Sequence, residues 1–246
     1  MLKNLFNEKA PVARIPDGMR IYAIGDIHGS SDLLGRLLQM IALEERSFDG
    51  EVKLVFLGDY IDRGADSRGV VDRLIALSRA RPGTVFLKGN HEAIALDFLK
   101  DPAEASAWFE WGGLETLASY GVRGAALRDL ADASREFRKA LPREHLAFLE
   151  ALETIRIIGD YVFVHAGVKP GAPLDKQEER DLLWIRGEFH NTPAGKRPNK
   201  VVIHGHQPVR KALDAGWRVD VDTGACYSGH LTAAVLEGDK RRFIST

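Results

Sequence analysis

The sequence predicts an α/β fold, because short apolar segments alternate with amphipathic helical segments along most of its 246 residues. Five apolar, β-branched or aromatic runs each end abruptly in glycine, aspartate, asparagine or histidine. Continuous apolar runs that stop at a turn signal are typical of strands buried on both faces. These runs are residues 21–24, 54–57, 85–87, 161–164 and 201–203.

The elements follow in chain order. Pro11 and Pro16 interrupt any regular element in residues 1–19, so we predict an N-terminal arm there. After the first strand, leucines and Ile41 share one helical face from residue 33 onward, with Ser30 or Ser31 as the N-cap. A second helical face begins at Val70 and ends before Pro82.

Residues 20–246 are predicted to form a single domain with a helical insertion at about 102–152. The insertion carries tryptophans and leucines at helical spacing and separates the third strand from the fourth. Further on, residues 219–222 and 231–236 show few helical signals. We expect them to form antiparallel hairpins that close a second sheet.

The composition is that of an ordinary globular protein and excludes several classes. Hydrophobic residues make up 45%, charged residues 28%, and the formal net charge is −1. Such a balance gives no general reason to bind nucleic acid or an anionic membrane. The single cysteine, Cys226, excludes an intrachain disulfide and a four-thiolate zinc site. With neither a signal peptide nor a membrane span visible, we expect a cytoplasmic protein without membrane or nucleic-acid partners.

Polar side chains follow each of the five strands at the point where it ends. They are Asp26 with His28, Asp59, Asn90, His165, and His204 with His206. Because functional residues of α/β sheets gather at the carboxyl ends of strands, we expect these side chains to meet in one cleft. Oxygen and nitrogen ligands without sulfur favour manganese, iron or zinc over calcium or magnesium.

The spacing of the first pair has a geometric consequence. Asp26 and His28 lie on the same side of an extended chain, so both can bind one ion. Asn90 and later histidines can bind a second ion, and Asp59 is the candidate for a carboxylate between them. Two metals about 3.5–4 Å apart can clamp the attacking and leaving oxygens of a phosphoryl displacement.

Five short motifs, in order, carry a family resemblance. They are Gly25-Asp-Ile-His-Gly29, Gly58-Asp-Tyr-Ile-Asp-Arg-Gly64, Gly89-Asn-His-Glu92, His165-Ala-Gly167 and Gly205-His206. The sequence resembles the phosphoprotein phosphatase branch of the metallophosphoesterase superfamily, in its bacterial and phage type. The resemblance implies two packed mixed β-sheets flanked by helices, the αββα sandwich of calcineurin-like metallophosphoesterases.

The resemblance also implies a set of metal ligands. Asp26 and His28 would bind the first metal, and Asp59 would bridge the two ions. The ligands of the second metal would be Asn90, His165 and His206. The cofactor would be two divalent or trivalent ions, manganese being the first expectation and iron or zinc the alternatives.

Further roles carried over by the resemblance concern catalysis and substrate binding. His91 is similar to the family's general acid, and Asp62 to the carboxylate that orients it. Arg63, Asn90 and Arg186 would bind the phosphate of the substrate. His204 is expected to support the ligands from behind, while His145, His190 and His230 have no supporting pattern and are assigned to the surface.

The function implied is that of a metal-dependent phosphomonoesterase, a serine/threonine protein phosphatase for which dual specificity stays open. It would hydrolyse by direct in-line attack of a metal-bridging hydroxide. The partner would be a phosphorylated protein or a small phosphate ester, and the oligomeric state is left open. One alternative is a dinucleoside polyphosphate hydrolase, such as a diadenosine tetraphosphate hydrolase, of the same fold. A metal-free scaffold that has lost catalysis is the other alternative, and degenerate ligands would mark it.

Overall fold

The computed structural model of the protein describes residues 12–246, apart from the side chains of residues 125 and 126. Over that range, two five-stranded sheets pack face to face with helices on their outer faces. The strands are β1 (Met19–Ile24), β2 (Glu51–Phe56), β3 (Val85–Phe86), β4 (Ile155–Ile158), β5 (Tyr161–Val164), β6 (Val201–His204), β7 (Leu213–Asp214), β8 (Arg218–Asp220), β9 (Thr232–Glu237) and β10 (Lys240–Ser245). The predicted αββα architecture is confirmed.

The α-helices lie between these strands. They are α1 (Ser31–Glu45), α2 (Ser67–Ala80), α3 (Asn90–Lys100), α4 (Leu114–Ser119), α5 (Leu130–Ala140), α6 (Arg143–Glu150), α7 (Glu179–Trp184), α8 (Gly187–His190) and α9 (Ala225–Ser228). Among residues 12–246, none of these helices combines the length and apolar character that crossing a bilayer requires.

Both sheets are mixed, and each contains a parallel centre. The first has the order β10-β9-β1-β2-β3, in which β1, β2 and β3 are parallel and β9 runs antiparallel to β1. The second has the order β4-β5-β6-β8-β7, in which β5, β6 and β8 are parallel. Within each sheet, the carboxyl ends of the parallel strands therefore open onto one edge.

Alternating side chains explain why the strands are apolar on both faces. In β1, Ile21 and Ala23 pack between the two sheets, whereas Tyr22 and Ile24 pack under the helices of the first sheet. In β5, Phe163 faces the space between the sheets, and Val162 faces the helices outside. Strands covered on both sides need apolar residues at every position, which is the pattern the sequence shows.

The predicted placement of the last hairpin is wrong. β9 and β10 form an antiparallel hairpin, but β9 pairs with β1 and so extends the first sheet. The reason lies in burial on both faces of β9: Ala234 and Leu236 face the second sheet, while Ala233 and Val235 face the helical layer. β9 therefore lies beside β1, another strand that is buried on both faces.

Residues 102–152 are almost entirely helical, from a short 3₁₀ turn and a π turn through α4, α5 and α6. Trp108, Leu117 and Phe137 share one hydrophobic core with α1, α2 and the outer face of the first sheet. The expectation that His145 lies on the surface is wrong. Its side chain is buried between the Tyr120 hydroxyl and the Asp72 carboxylate, 2.9 Å from each.

Of the predicted arm, residues 1–11 lie outside the described residues. Residues 12–18 have no regular secondary structure and run against the edge of the sandwich. The backbone N–H of Ile15 donates to the Gly238 carbonyl at 3.1 Å, and the Ile15 side chain is buried between the sheets.

Candidate active site

The loops that follow β1, β2, β3, β5 and β6 meet at one edge of the sandwich. Backbone bonds tie neighbouring loops together. The N–H groups of Ile27 and His28 donate to the Asp59 carbonyl at 3.0 and 2.9 Å, and Gly205 donates to the carbonyl of His165 at 2.8 Å. The polar residues of five separate strand ends are thus held in one place.

The backbone at this edge is unusual. In the part of the chain that the structure describes, left-handed φ angles outside glycine occur at His28, Asp59, Asp62, Arg63 and His206. All five belong to the predicted site. Left-handed backbone is unfavourable for residues with a side chain, so its concentration here marks loops whose conformation serves the placement of those side chains.

The Asp59 carboxylate lies at the centre of a group of histidines. Its Oδ2 atom lies 3.4 Å from His165 Nε2, 3.5 Å from His28 Nε2 and 3.9 Å from His91 Nε2. Asp59 therefore contributes to two groups of ligand atoms, one with His28 and His91 and one with His165 and His206. A carboxylate between two sets of imidazoles is the arrangement that a bridged pair of ions needs.

The second of these groups is compact. The amide oxygen of Asn90 lies 2.9 Å from both His165 Nε2 and His206 Nδ1, which are 3.2 Å from each other. Asn90 is the first residue of α3, so the end of β3 places its amide directly in the group. One oxygen and two nitrogen atoms thus face a single point beside Asp59.

Backbone carbonyls orient two of the imidazoles. His28 Nδ1 lies 2.8 Å from the Ile61 carbonyl, and His165 Nδ1 lies 2.9 Å from the Leu57 carbonyl. Because a carbonyl only accepts, each Nδ1 carries a proton, and this orientation turns each Nε2 toward Asp59. Burial, with the charges of His91 and Arg63, lowers the pKa of His28 to about 3, so this ring is neutral at physiological pH.

The site also concentrates negative charge. Asp26 is buried, and the charges of Asp222 and Asp59 add to burial in raising its pKa well above the ordinary range. Its Oδ2 accepts from the His206 N–H at 3.0 Å, but among residues 12–246 its Oδ1 has no hydrogen-bond partner. Burial raises the pKa of Asp222 to about 6. Carboxylates whose pKa is raised by burial and by neighbouring negative charge, with an oxygen left over, fit a site built for cations.

Two glycines make room for these carboxylates. A Cβ atom on Gly89 would lie 2.0 Å from Asp59 Oδ1, and one on Gly205 would lie 2.1 Å from Asp26 Oδ1. Neither position tolerates a side chain, so the glycines of two family motifs serve the close approach of carboxylate to backbone. The residues present therefore fit a dinuclear metal centre.

His91 and Asp62 form a buried pair next to this centre. His91 Nδ1 donates to Asp62 Oδ2 at 2.6 Å. The Asp62 carboxylate is fixed in turn by the Trp108 indole N–H at 2.8 Å and the Thr116 hydroxyl at 2.6 Å. Burial lowers the pKa of His91, but the charge of Asp59 and the bond to Asp62 outweigh it and raise the pKa above its ordinary value. The pair can hold a proton on the imidazole of His91, whose Nε2 faces Asp59.

Two arginines border the centre on different sides. Arg63 is half-buried, with Nη2 3.2 Å from His91 Nε2, and Arg186 is exposed, with Nε 3.2 Å from His206 Nε2. Guanidinium groups in these positions can bind phosphate oxygens at the mouth of the site. His204, in contrast, turns toward the outer face of the second sheet, where it packs edge-on against Phe189.

Glu92 organises the loop after β2. Its buried carboxylate accepts from the backbone N–H groups of Asp59 at 2.9 Å, Tyr60 at 2.8 Å, Ile61 at 3.3 Å and Gly89 at 2.9 Å. Glutamine would place N–H groups against backbone donors, so Glu92→Gln should lower the free energy of unfolding by roughly 2–5 kcal/mol. Urea denaturation measures it, and Glu115→Gln on an exposed face of α4 is the control. Equal stability of both variants would contradict this role.

Sequence reasoning missed three residues of the site. Asp222 lies two residues after the end of β8, and β8 ends like the other parallel strands, so the strand-end pattern that found Asp59 could have found it. Trp108 and Thr116 carry no such signal, because they reach Asp62 across 46 and 54 residues of sequence. Only the packing of the helical segment brings them to the site.

The comparisons with known proteins agree with this geometry. The family profile described as calcineurin-like phosphoesterase matches residues 19–234. The chain belongs to the calcineurin-like phosphoesterase family. The match begins at the start of β1, includes all the motifs at the strand ends, and stops within β9.

The proteins similar to this chain include both a protein phosphatase and a dinucleoside tetraphosphatase. Serine/threonine-protein phosphatase 1 of Salmonella typhimurium is 30% identical over 88% of this chain and 92% of its own length. The asymmetrical bis(5′-nucleosyl)-tetraphosphatase PrpE of Bacillus velezensis is 28% identical over 85% of this chain and 86% of its own length. Among solved structures, a mutant cold-active protein tyrosine phosphatase superposes with a TM-score of 0.64 at 18% identity, covering 98% of this chain and 82% of that one. The last comparison supports the fold alone.

Proposed function

We propose that this metallophosphoesterase is a phosphomonoesterase that acts as a serine/threonine protein phosphatase. The observation that carries the proposal is the buried His91–Asp62 pair, at 2.6 Å, beside the Asp59 carboxylate. A proton held there can be delivered to a leaving oxygen.

The nature of the leaving group supports this substrate class. Hydrolysis of phosphoserine or phosphothreonine expels an alkoxide, a strongly basic group that has to be protonated as it departs. A dinucleoside polyphosphate releases a nucleotide phosphate, which leaves far more readily as an anion. Trp108 and Thr116 fix the Asp62 carboxylate, which holds the imidazole of His91 in one orientation. A proton donor positioned in this way suits the departure of an alkoxide, which needs protonation.

The remaining residues divide between ion binding and substrate binding. We assign Asp26 and His28 to one ion, Asn90, His165 and His206 to the other, and Asp59 to both. When bound, a pair of such ions lowers the pKa of a coordinated water toward neutrality and offsets charge on the phosphoryl oxygens. Arg63 and Arg186 bind the phosphate, together with Asn90. The mixed oxygen and nitrogen donors suit manganese first, with iron or zinc as alternatives.

Hydrolysis of dinucleoside tetraphosphates is the second candidate. The similarity to the bis(5′-nucleosyl)-tetraphosphatase of Bacillus velezensis, close to that of the phosphatase relative, favours it. Both reactions would use the same ions and the same arginines. The two substrates differ in the group attached to the phosphate, which is a peptide in one case and a nucleotide in the other.

Substrate competition tests the two candidates. With manganese added, we expect kcat/KM for phosphoserine and phosphothreonine peptides to exceed kcat/KM for diadenosine tetraphosphate by at least tenfold. Asp62→Asn, which keeps the shape of the side chain, should reduce the peptide reaction more than the tetraphosphate reaction. A preference for the tetraphosphate, with little hydrolysis of peptides, would overturn the phosphatase proposal in favour of the second candidate.

A further inference from the structure

A second cluster of metal-ligating side chains lies outside the site described above. His190 ends α8, His204 ends β6 and Asp220 ends β8. His204 and Asp220 are register partners on adjacent parallel strands, so their side chains share one face of the second sheet. The ring of His190 lies over them, with its centroid 5.4 Å from that of His204.

The ligand atoms of this cluster are close together and incompletely satisfied. One nitrogen of each histidine and one oxygen of Asp220 all lie within 4.8 Å of one another. His204 and Asp220 are at most 1% exposed. Within the described part of the chain, His190 Nε2 and Asp220 Oδ2 are buried atoms without a hydrogen-bond partner. Buried polar atoms that lack partners are rare, and a bound ion is one arrangement that satisfies them.

We propose that His190, His204 and Asp220 form a zinc site separate from the dinuclear centre. Two imidazoles and one carboxylate are a donor set that zinc takes up, with a water completing a tetrahedron. Tetrahedral ligands at zinc distances lie roughly 3.4 Å apart, so the ligand atoms need to move by under about 1 Å each.

Arg218 shows that this position attracts a cation. Its Nη1 lies 3.2 Å from His204 Nε2 and 3.9 Å from Asp220 Oδ2. The guanidinium competes with zinc for the same two side chains and has to swing away when the ion binds.

A zinc ion here would act on the neighbouring site through the backbone. α8 begins directly after Arg186, and β6 ends two residues before His206. Joining His190 to His204 and Asp220 ties the segment carrying Arg186 to the second sheet. We therefore assign this zinc a positioning role for that arginine.

Metal stoichiometry tests the site independently of any activity. The chain is stripped with a chelator, loaded with zinc, passed through a desalting column and analysed for metal per chain. We expect His190→Ala and Asp220→Asn each to bind one zinc fewer than the wild-type chain. His230→Ala, which removes an exposed histidine, is the matched control and should bind the wild-type amount.

Two further variants separate this site from its surroundings. In Asp59→Asn, which weakens the dinuclear centre, the zinc held by His190 should remain. Arg218→Met removes the competing cation and should tighten binding of that zinc at least tenfold. Circular dichroism checks that each variant folds. Unchanged stoichiometry in His190→Ala or in Asp220→Asn, or an Arg218→Met chain that loses stability without gaining zinc affinity, would overturn the proposal and leave an arginine-held polar cluster.

Discussion

Replacing His91 by asparagine is expected to lower kcat on a phosphoserine peptide by roughly 10²–10⁴-fold, the usual contribution of a general acid. The variant loses the proton that the Asp62 bond, at 2.6 Å, holds on the ring. The loss should be much smaller on p-nitrophenyl phosphate, because p-nitrophenolate leaves without protonation. Steady-state kinetics on the two substrates give the comparison.

Metal content decides between two roles for His91. Its Nε2 lies 3.9 Å from Asp59 Oδ2, and the ring belongs to one of the two groups of ligand atoms around that carboxylate. We expect the variant to bind as much manganese as the wild-type chain. If it loses an ion, or if both substrates slow equally, His91 is a ligand and the general acid has to be sought elsewhere.

Replacing Asp59 by asparagine should remove activity and metal together. Its Oδ2 faces histidines of both groups at 3.4 and 3.5 Å, so a neutral amide withdraws charge from two ions at once. We expect manganese affinity to fall by at least about 100-fold, more than the loss that follows removal of a group behind a ligand. Titration calorimetry and metal analysis measure it.

Thermal unfolding provides the control for this variant. Manganese should raise the melting temperature of the wild-type chain, since a ligand that binds only the folded state stabilises it by mass action. The increase should disappear in Asp59→Asn, while the unfolding temperature of the two chains without metal stays similar. An undiminished increase would show that Asp59 does not bridge the ions.

The meeting of these side chains at one edge could be predicted because local sequence marks where each strand ends. Each of the three parallel strands of the first sheet ends in an apolar run, a glycine and a polar side chain, as at Gly58 and Asp59. Parallel strands open onto one edge, so five local patterns translate into one location. Asp222 fits the same rule, although the sequence around it predicts a hairpin.

Other features could not be predicted because they depend on contacts far apart in the chain. Nothing near Trp108 indicates that its indole donates to Asp62, and nothing near β9 says that it pairs with β1. His145 looked like a surface residue because its partners, Tyr120 and Asp72, lie on two different helical segments. Which of these distant residues contact one another depends on how the helices and strands pack, and no short sequence motif encodes that packing.

The left-handed backbone at His28, Asp59, Asp62, Arg63 and His206 has an evolutionary consequence. Each such residue costs of order 1–3 kcal/mol relative to a relaxed conformation, and glycine would relieve most of it. A library selected for heat resistance alone should therefore drift toward glycine at these positions and become inert. At these five positions, selection for thermostability and selection for turnover therefore favour different residues.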